Sequence, residues 1–333
     1  MAHPEAAVVT IQESINRFLE VIALSRSENT ARTYQNGMRV FVEMLAEIGI
    51  SPDEPVNRIQ EDSTANYTKY LKFYAPATEN LYITVYKNYL SFLVAENLVA
   101  LNLQQVKQLI QQRTRKPGIR LPQFPQADIE KLLDYAIELT GGNFDDESEK
   151  LINLRDGAFL ITLADTGLRI HEACNLRRGD IDWFKGKAII IGKGNKQAVI
   201  RFSERSLMAM RSYLNERGHL DGKGIKPLAA LPVFARHDKG AGSRVLPITT
   251  KTGRQIVAGR VLECLGAEAV GSITPHSFRH YFVTCVLQET GNLKIAQEFA
   301  RHTNIAVTQR YTHLANDELD ETYHKIFDKD KNG

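Results

Sequence analysis

Arg113-Thr114-Arg115-Lys116-Pro117-Gly118-Ile119-Arg120-Leu121-Pro122-Gln123-Phe124-Pro125 lies about a third of the way along the chain, and neither a helix nor a strand can run through it. Each proline fixes its own φ, removes a backbone donor and restricts the residue before it. The chain therefore has to pack as separate units joined by a linker. The expected division is a leader over 1–10, a first domain over 11–112, a linker over 113–126, a second domain over 127–327 and a tail over 328–333. Arg113, Arg115, Lys116 and Arg120 give the linker four cations and no acid, which suits contact with phosphates. A solubilising linker is the plainer alternative.

Both units have enough apolar material for a core. Of 333 residues, 43% are hydrophobic and 24% charged, within the range of ordinary globular domains. A formal net charge of +3 permits a nucleic-acid partner without requiring one, because the placement of charge matters more than its total. Cys174, Cys264 and Cys285 are odd in number and far apart, which argues against a disulfide framework or a cysteine metal site and for a reducing compartment. Glu5, Glu13 and Glu20 interrupt the N-terminal stretch, so no signal peptide is expected, and no apolar run approaches a membrane span. The reading is of a cytoplasmic protein.

The N-terminal third reads as helical throughout. Ile11, Ile15, Phe18, Leu19 and Ile22 share one helical face, as do Tyr34, Met38, Phe41, Leu45 and Ile48, and again Leu81, Val85, Tyr89 and Phe92. A fourth helix is expected over Ala65 to Tyr74 with Ser63 as its cap, and Thr30 and Thr78 are read as start signals. Aromatics at helical spacing are taken as core rather than as base-stacking platforms. The polar and basic set Ser27, Asn29, Thr30, Arg32, Arg39, Lys69, Lys72 and Lys87 is the better candidate for a DNA contact, against the alternative of a solvated helix surface.

Beyond Asp128 the pattern gives helices over Ile129 to Leu139 and Leu151 to Asp165, with Gly167 as a C-terminal stop. Arg169 then starts the next helix and shares a face with Glu172. Lys187 to Gly192 and Gln197 to Phe202 read as a hairpin with Lys193 where the first strand enters the turn. The Gly-, Lys- and Arg-rich stretch from Arg217 to Arg254 is expected to be a surface loop. Thr274-Pro275 has the form of an N-cap followed by proline in the first helical position. His276 and Arg279 would project together from that helix start, where free amides and the dipole favour an anion.

Tyr311 follows this run of cations. A phenol with an ordinary pKa of about 10 needs positive groups around it and its target to act as a nucleophile. In Thr166-Gly167-Leu168-Arg169-Ile170-His171-Glu172, Ile191-Gly192-Lys193-Gly194-Asn195-Lys196, Pro275-His276-Ser277-Phe278-Arg279-His280 and His302 to Tyr311, the chain resembles the tyrosine recombinase (phage integrase) family, most closely its short bacterial Xer-type members. The intervals agree with that pattern: Lys193 follows Arg169 by 24 residues, Tyr311 follows His276 by 35 and His302 by nine, and His302 follows Arg279 by 23. One position departs from it. The usual Leu-Gly-His is Ala300-Arg301-His302, so Arg301 either shifts the turn or adds a phosphate contact of its own.

The resemblance implies a mainly α fold with a small β component: a helical SAM-like core-binding domain whose last helix runs from Glu96 to Arg113, and a mixed α+β catalytic domain. It implies Tyr311 as nucleophile, Arg169 and Arg279 on the phosphate oxygens, Lys193 as proton donor with Lys196 as its competitor, and His276 and His302 in supporting catalytic roles, with Glu172 orienting its neighbours. Arg32, Arg39, Lys69, Lys72, Arg113, Arg115, Lys116, Arg120 and Lys196 become DNA-binding candidates. No metal and no cofactor are called for. The expected partner is double-stranded DNA carrying an inverted-repeat site, bound by a homotetramer or by a hetero-tetramer with a second recombinase, in a cytoplasmic, nucleoid-associated protein. The few residues before Ile11 are expected to leave no room for an arm-binding domain. Three functions fit: a site-specific recombinase, a type IB topoisomerase using the same chemistry, and a DNA-binding regulator without activity. An apolar face of Leu319, Tyr323, Ile326 and Phe327, able to dock on a neighbouring protomer, favours the first.

Overall fold

A computed structural model describes residues 9–115, 125–191, 197–223 and 226–301. The chain forms two compact units, Met1–Ile119 and Arg120–Gly333. Among the described residues no helix is long and apolar enough to cross a membrane.

The first unit is a bundle of α1 (Ile11–Ser25), α2 (Glu28–Glu47), α3 (Glu61–Tyr70), α4 (Pro76–Ala95) and α5 (Leu103–Arg113). Thr10 starts α1 by accepting the Glu13 amide at 3.1 Å. The apolar faces read from the sequence meet in one core: Ile11, Ile15 and Phe18 from α1, Met38 and Phe41 from α2, Tyr67 from α3, and Tyr86 and Tyr89 from α4 are all buried. Each such side chain contributes about 1.5–3 kcal/mol on leaving water. The tyrosine hydroxyls are satisfied inside that core. Tyr89 pairs with Ser14 at 2.6 Å, Tyr86 with Thr64 at 3.2 Å, and Tyr67 donates to the Gly37 carbonyl at 3.1 Å. The aromatics are therefore core, although Leu81 is exposed and the buried face of α4 is set by Ile83, Val85, Tyr86, Tyr89, Leu90 and Leu93.

Several helix ends differ from expectation. Ser63 does not cap α3 from outside; α3 begins at Glu61, and the Ser63 hydroxyl accepts the Gln60 amide from within the first turn. Past Tyr70 the chain tightens into a 3₁₀ turn, Leu71–Phe73. Ser27, not Thr30, caps α2, and α4 starts on Ala75-Pro76 with Thr78 inside its first turn. The last helix begins at Leu103 rather than Glu96, because Asn97 takes a left-handed turn (φ 55°) and Asn102 caps a new helix.

The second unit is built on α7 (Glu147–Thr166), buried on nearly every side. Around it lie α6 (Gln126–Gly141), α8 (Ile170–Cys174), α9 (Glu204–Glu216), α10 (Gly218–Asp221), α11 (Thr250–Leu265), α12 (Pro275–Thr290) and α13 (Leu293–Ala300). An antiparallel sheet of order β1 (Ile181–Asp182), β2 (Lys187–Ile191) and β3 (Gln197–Arg201) includes the expected hairpin and a short strand that the sequence reading missed. Ala188 pairs with Ile200 and both face the core, whereas Ile189 and Ile191 point to solvent, as strict alternation requires.

The stretch from Arg217 to Arg254 is not simply a surface loop. The Arg217 side chain is fully buried: it donates to the carbonyls of Pro232 (2.9 Å) and Val233 (2.8 Å) and pairs with Asp221 at 2.8 Å. Val233, Phe234 and Ala235 are buried beside it. A cation reading main-chain carbonyls needs no pattern in the residues that carry them, which is why the anchor leaves no periodic signature.

Candidate active site

Helix α7 stops where the sequence says it should. Gly167 sits at φ 58°, ψ 24°, and a Cβ there would stand 2.4 Å from Phe282 Cδ1, so both backbone and packing demand glycine. Its carbonyl is the meeting point of the site. Arg279, in the first turns of α12, is buried and donates from Nη1 to the Gly167 carbonyl at 2.6 Å and from Nη2 to the Ala300 carbonyl at the end of α13. The α12 start is held by Thr274, whose amide donates to Ser277 Oγ at 3.0 Å, and by Pro275 in the first helical position, as expected.

Two residues beyond Gly167, Arg169 occupies the N-cap of α8. Its amide donates to Glu172 Oε2 at 2.8 Å and its Nη1 to Glu172 Oε1 at 3.1 Å. The carboxylate is nearly sealed, with 1% of its side-chain area exposed, whereas the Arg169 side chain keeps 37%. Burial alone would raise the Glu172 pKa, yet the charges of Arg301 and Arg169 and the Arg169 amide outweigh it and hold the group below its ordinary value.

Arg301 ends α13 in the left-handed conformation (φ 55°, ψ 42°) that favours glycine. Its guanidinium turns inward. Nη1 lies 3.1 Å from Glu172 Oε2 and Nη2 donates to the Gly167 carbonyl at 3.3 Å. Sequence reasoning flagged the position but not this partner; 129 residues separate Arg301 from Glu172, and only the missing glycine marks it.

His276 reaches solvent at the start of α12, and its ring stands 4.3 Å from that of His280, edge to face. Partial desolvation, followed by the charges of Arg279 and Arg169, keeps it below the usual histidine pKa, so it is neutral near pH 7. Such a group can accept or pass on a proton beside an anion. Three guanidiniums and one carboxylate thus surround the turn after α7, and of the three Arg169 keeps the largest exposed share, 37% of its side chain. Lys193, Lys196, His302 and Tyr311, with the tail face of Leu319, Tyr323, Ile326 and Phe327, lie outside the described residues; Ile191 and Gln197, the strand ends flanking 192–196, are paired.

The DNA-binding candidates divide. Lys69, Lys87 and Arg113 are exposed. Arg32 and Arg39 are exposed too, but each holds an acid one turn away, Glu28 at 3.2 Å and Glu43 respectively. Lys72 and Arg115 converge instead on Glu79, a fully buried carboxylate in the first turn of α4, at 2.6 Å each, and the Arg115 amide joins them at 3.0 Å. Lys116 and Arg120 lie outside the described residues.

Residues 123–318 match the phage integrase family, and residues 15–97 match the phage integrase N-terminal SAM-like domain. Tyrosine recombinase XerC of Bacillus subtilis (strain 168) is 28% identical over 94% of this chain and 95% of its own. The XerC of Pediococcus pentosaceus is 27% identical over 95% and 98%. Among solved structures, XerH recombinase bound to a palindromic difH substrate in a post-cleavage complex superposes with a TM-score of 0.67 at 18% identity, covering 97% of this chain and 99% of that one. A lambda integrase dimer on a core site gives 0.61 at 15% identity, covering 91% and 95%. The last two establish likeness of fold.

Proposed function

This chain belongs to the phage integrase family of tyrosine recombinases, and from that premise we propose that it recombines DNA at specific sites by way of a covalent 3′-phosphotyrosyl intermediate. The observation that carries the reading is the convergence of Arg169 and Arg279 on the turn at Gly167, with His276 one turn before Arg279. Phosphoryl transfer places negative charge on the nonbridging oxygens, and the protein's task is to position and neutralise it. Arg169 holds those oxygens with its planar fork of donors, and Arg279, buried with its Nη atoms on the Gly167 and Ala300 carbonyls, is assigned to the same phosphate by the family pattern. Tyr311 attacks the scissile phosphorus in line, forming the tyrosyl–phosphorus bond as the bond to the 5′ oxygen breaks. Lys193 delivers the proton to that departing oxygen, His276 moves the phenolic proton, and His302 adds a hydrogen bond. Glu172 orients Arg169. The phosphodiester energy stays in the protein–DNA bond, so attack by a 5′-hydroxyl rejoins a strand without ATP or added cofactor.

In this reading the partner is a duplex with inverted-repeat half-sites, and four protomers, all of this chain or paired with a second recombinase, exchange strands through a Holliday junction. The exposed Lys69, Lys87 and Arg113 supply phosphate contacts, and the protein works in the cytoplasm on the nucleoid. The test uses duplexes selected by binding from a random pool and then nicked near the cleavage point, so that a released fragment traps the adduct. Wild-type protein should become covalently attached to the strand, while Tyr311→Phe binds the same duplex and forms no adduct. An adduct formed by Tyr311→Phe would overturn the assignment.

A further inference from the structure

Glu172 is placed between two guanidiniums. Oε1 accepts Arg169 Nη1 at 3.1 Å and Oε2 accepts the Arg169 amide at 2.8 Å, while Arg301 Nη1 stands 3.1 Å from Oε2 as an ion pair. A sealed carboxylate beside a single arginine would cancel most of that arginine's field and draw its fork inward, away from a nucleic-acid phosphate. Here the second oxygen is already occupied from the other side. The Arg169 side chain meets Glu172 through Nη1 and keeps 37% of its area exposed. We propose that Arg301 is a positioning residue that neutralises Glu172, leaving the Arg169 guanidinium its charge and its orientation for the scissile phosphate. The proposal rests on the recombinase reading above and deepens it.

The geometry separates this role from direct contact and from simple packing. The Arg301 side chain is only 12% exposed and faces Glu172 and the Gly167 carbonyl, so it acts through its neighbours. Its backbone holds φ 55°, a conformation that favours glycine and opposes every branched or long side chain. An arginine here works against the local backbone preference, and what it adds is one positive charge against the site's carboxylate. Arg279 draws on the same Gly167 carbonyl, so the three arginines share one small frame.

The test compares wild type with Arg301→Gly, Arg301→Lys and the double variant Glu172→Gln/Arg301→Gly, all in the full chain. Glycine suits the backbone but leaves the sealed Glu172 with Arg169 as its remaining cation, so the Arg301→Gly thermal midpoint is expected to fall, and the adduct rate is read at a temperature where the variant is fully folded. On the selected, nicked duplex its covalent adduct should form about tenfold more slowly, with duplex affinity unchanged within about twofold. Lysine should restore much of the rate, and removing the Glu172 charge in the double variant should recover part of it, which a packing role does not explain. Independently of DNA, a carboxyl NMR titration should find Glu172 titrating at higher pH in Arg301→Gly than in wild type. An unchanged titration, an unchanged adduct rate, or a double variant no faster than Arg301→Gly would each overturn the proposal. If the wild type forms no adduct at all while the Glu172 titration still moves, the failure lies in the recombinase reading instead.

Discussion

In the helical bundle most buried polar side chains are hydroxyls, Ser14, Thr64, Tyr67, Tyr86 and Tyr89 among them, each closed by a neighbour inside the same core. In the second unit they include four guanidiniums, Arg155, Arg217, Arg260 and Arg279, which pair with Asp156 and Asp221 or read main-chain carbonyls. The first arrangement tolerates loss, because a neutral hydroxyl contributes about 1 kcal/mol net. Removing one partner of a buried ion pair costs about 3–5 kcal/mol, since the other is left charged in a poor solvent. The bundle is thus a packing problem and the catalytic unit an electrostatic one. Glu79 is the bundle's exception, and its cations keep more than a third of their side-chain area in water.

The contrast can be broken by substitution, because Trp183 is the only tryptophan and sits in the second unit with its indole N–H on the Arg178 carbonyl at 3.1 Å. Its fluorescence reports that unit, and far-ultraviolet circular dichroism reports both. Arg217→Met leaves the Pro232 and Val233 carbonyls without their donor and Asp221 with Arg178 in place of two cations. It should lower the stability seen by Trp183 fluorescence in urea by about 3–5 kcal/mol. A loss under 1 kcal/mol would show that buried charge does not hold this unit together. Gly167→Ala meets both a left-handed backbone and the Phe282 ring. A destabilisation of about 2–4 kcal/mol in the same assay is expected, with slower adduct formation because the carbonyl under Arg279 moves. Tyr86→Phe removes only the bond to Thr64. Circular dichroism should register about 1 kcal/mol while the Trp183 transition stays in place; a larger shift would bring the two units closer in kind than their interiors suggest.

What could be read from the chain follows the same division. The bundle helices were legible because burial on a helix repeats with a fixed period, and Phe18, Phe41, Tyr67 and Tyr89 announce themselves by spacing. Their starts were less so: Ser63 does its capping from inside the turn, and Asn102 from just before Leu103, where no single residue type dictates the register. In the catalytic unit, Gly167 and Thr274-Pro275 follow local rules and were found where expected. Strand β1, two residues long, carries too little pattern to detect. The Arg217 anchor and the Arg301–Glu172 pair depend on groups brought together only by the fold, and no local rule encodes them. Resemblance to the family supplied four site candidates within the described region, Arg169, Glu172, His276 and Arg279, but pointed away from an arginine at 301.

Because the Arg217 guanidinium grips Pro232 and Val233 through their carbonyl oxygens, it is indifferent to which side chains the intervening chain carries and nearly so to their number. Leu231 is buried and its carbonyl accepts the Arg178 amide, so the place where this enzyme can lengthen or receive a grafted peptide, such as a fluorophore-binding tag, lies between Asp221 and Pro227, before that packed end.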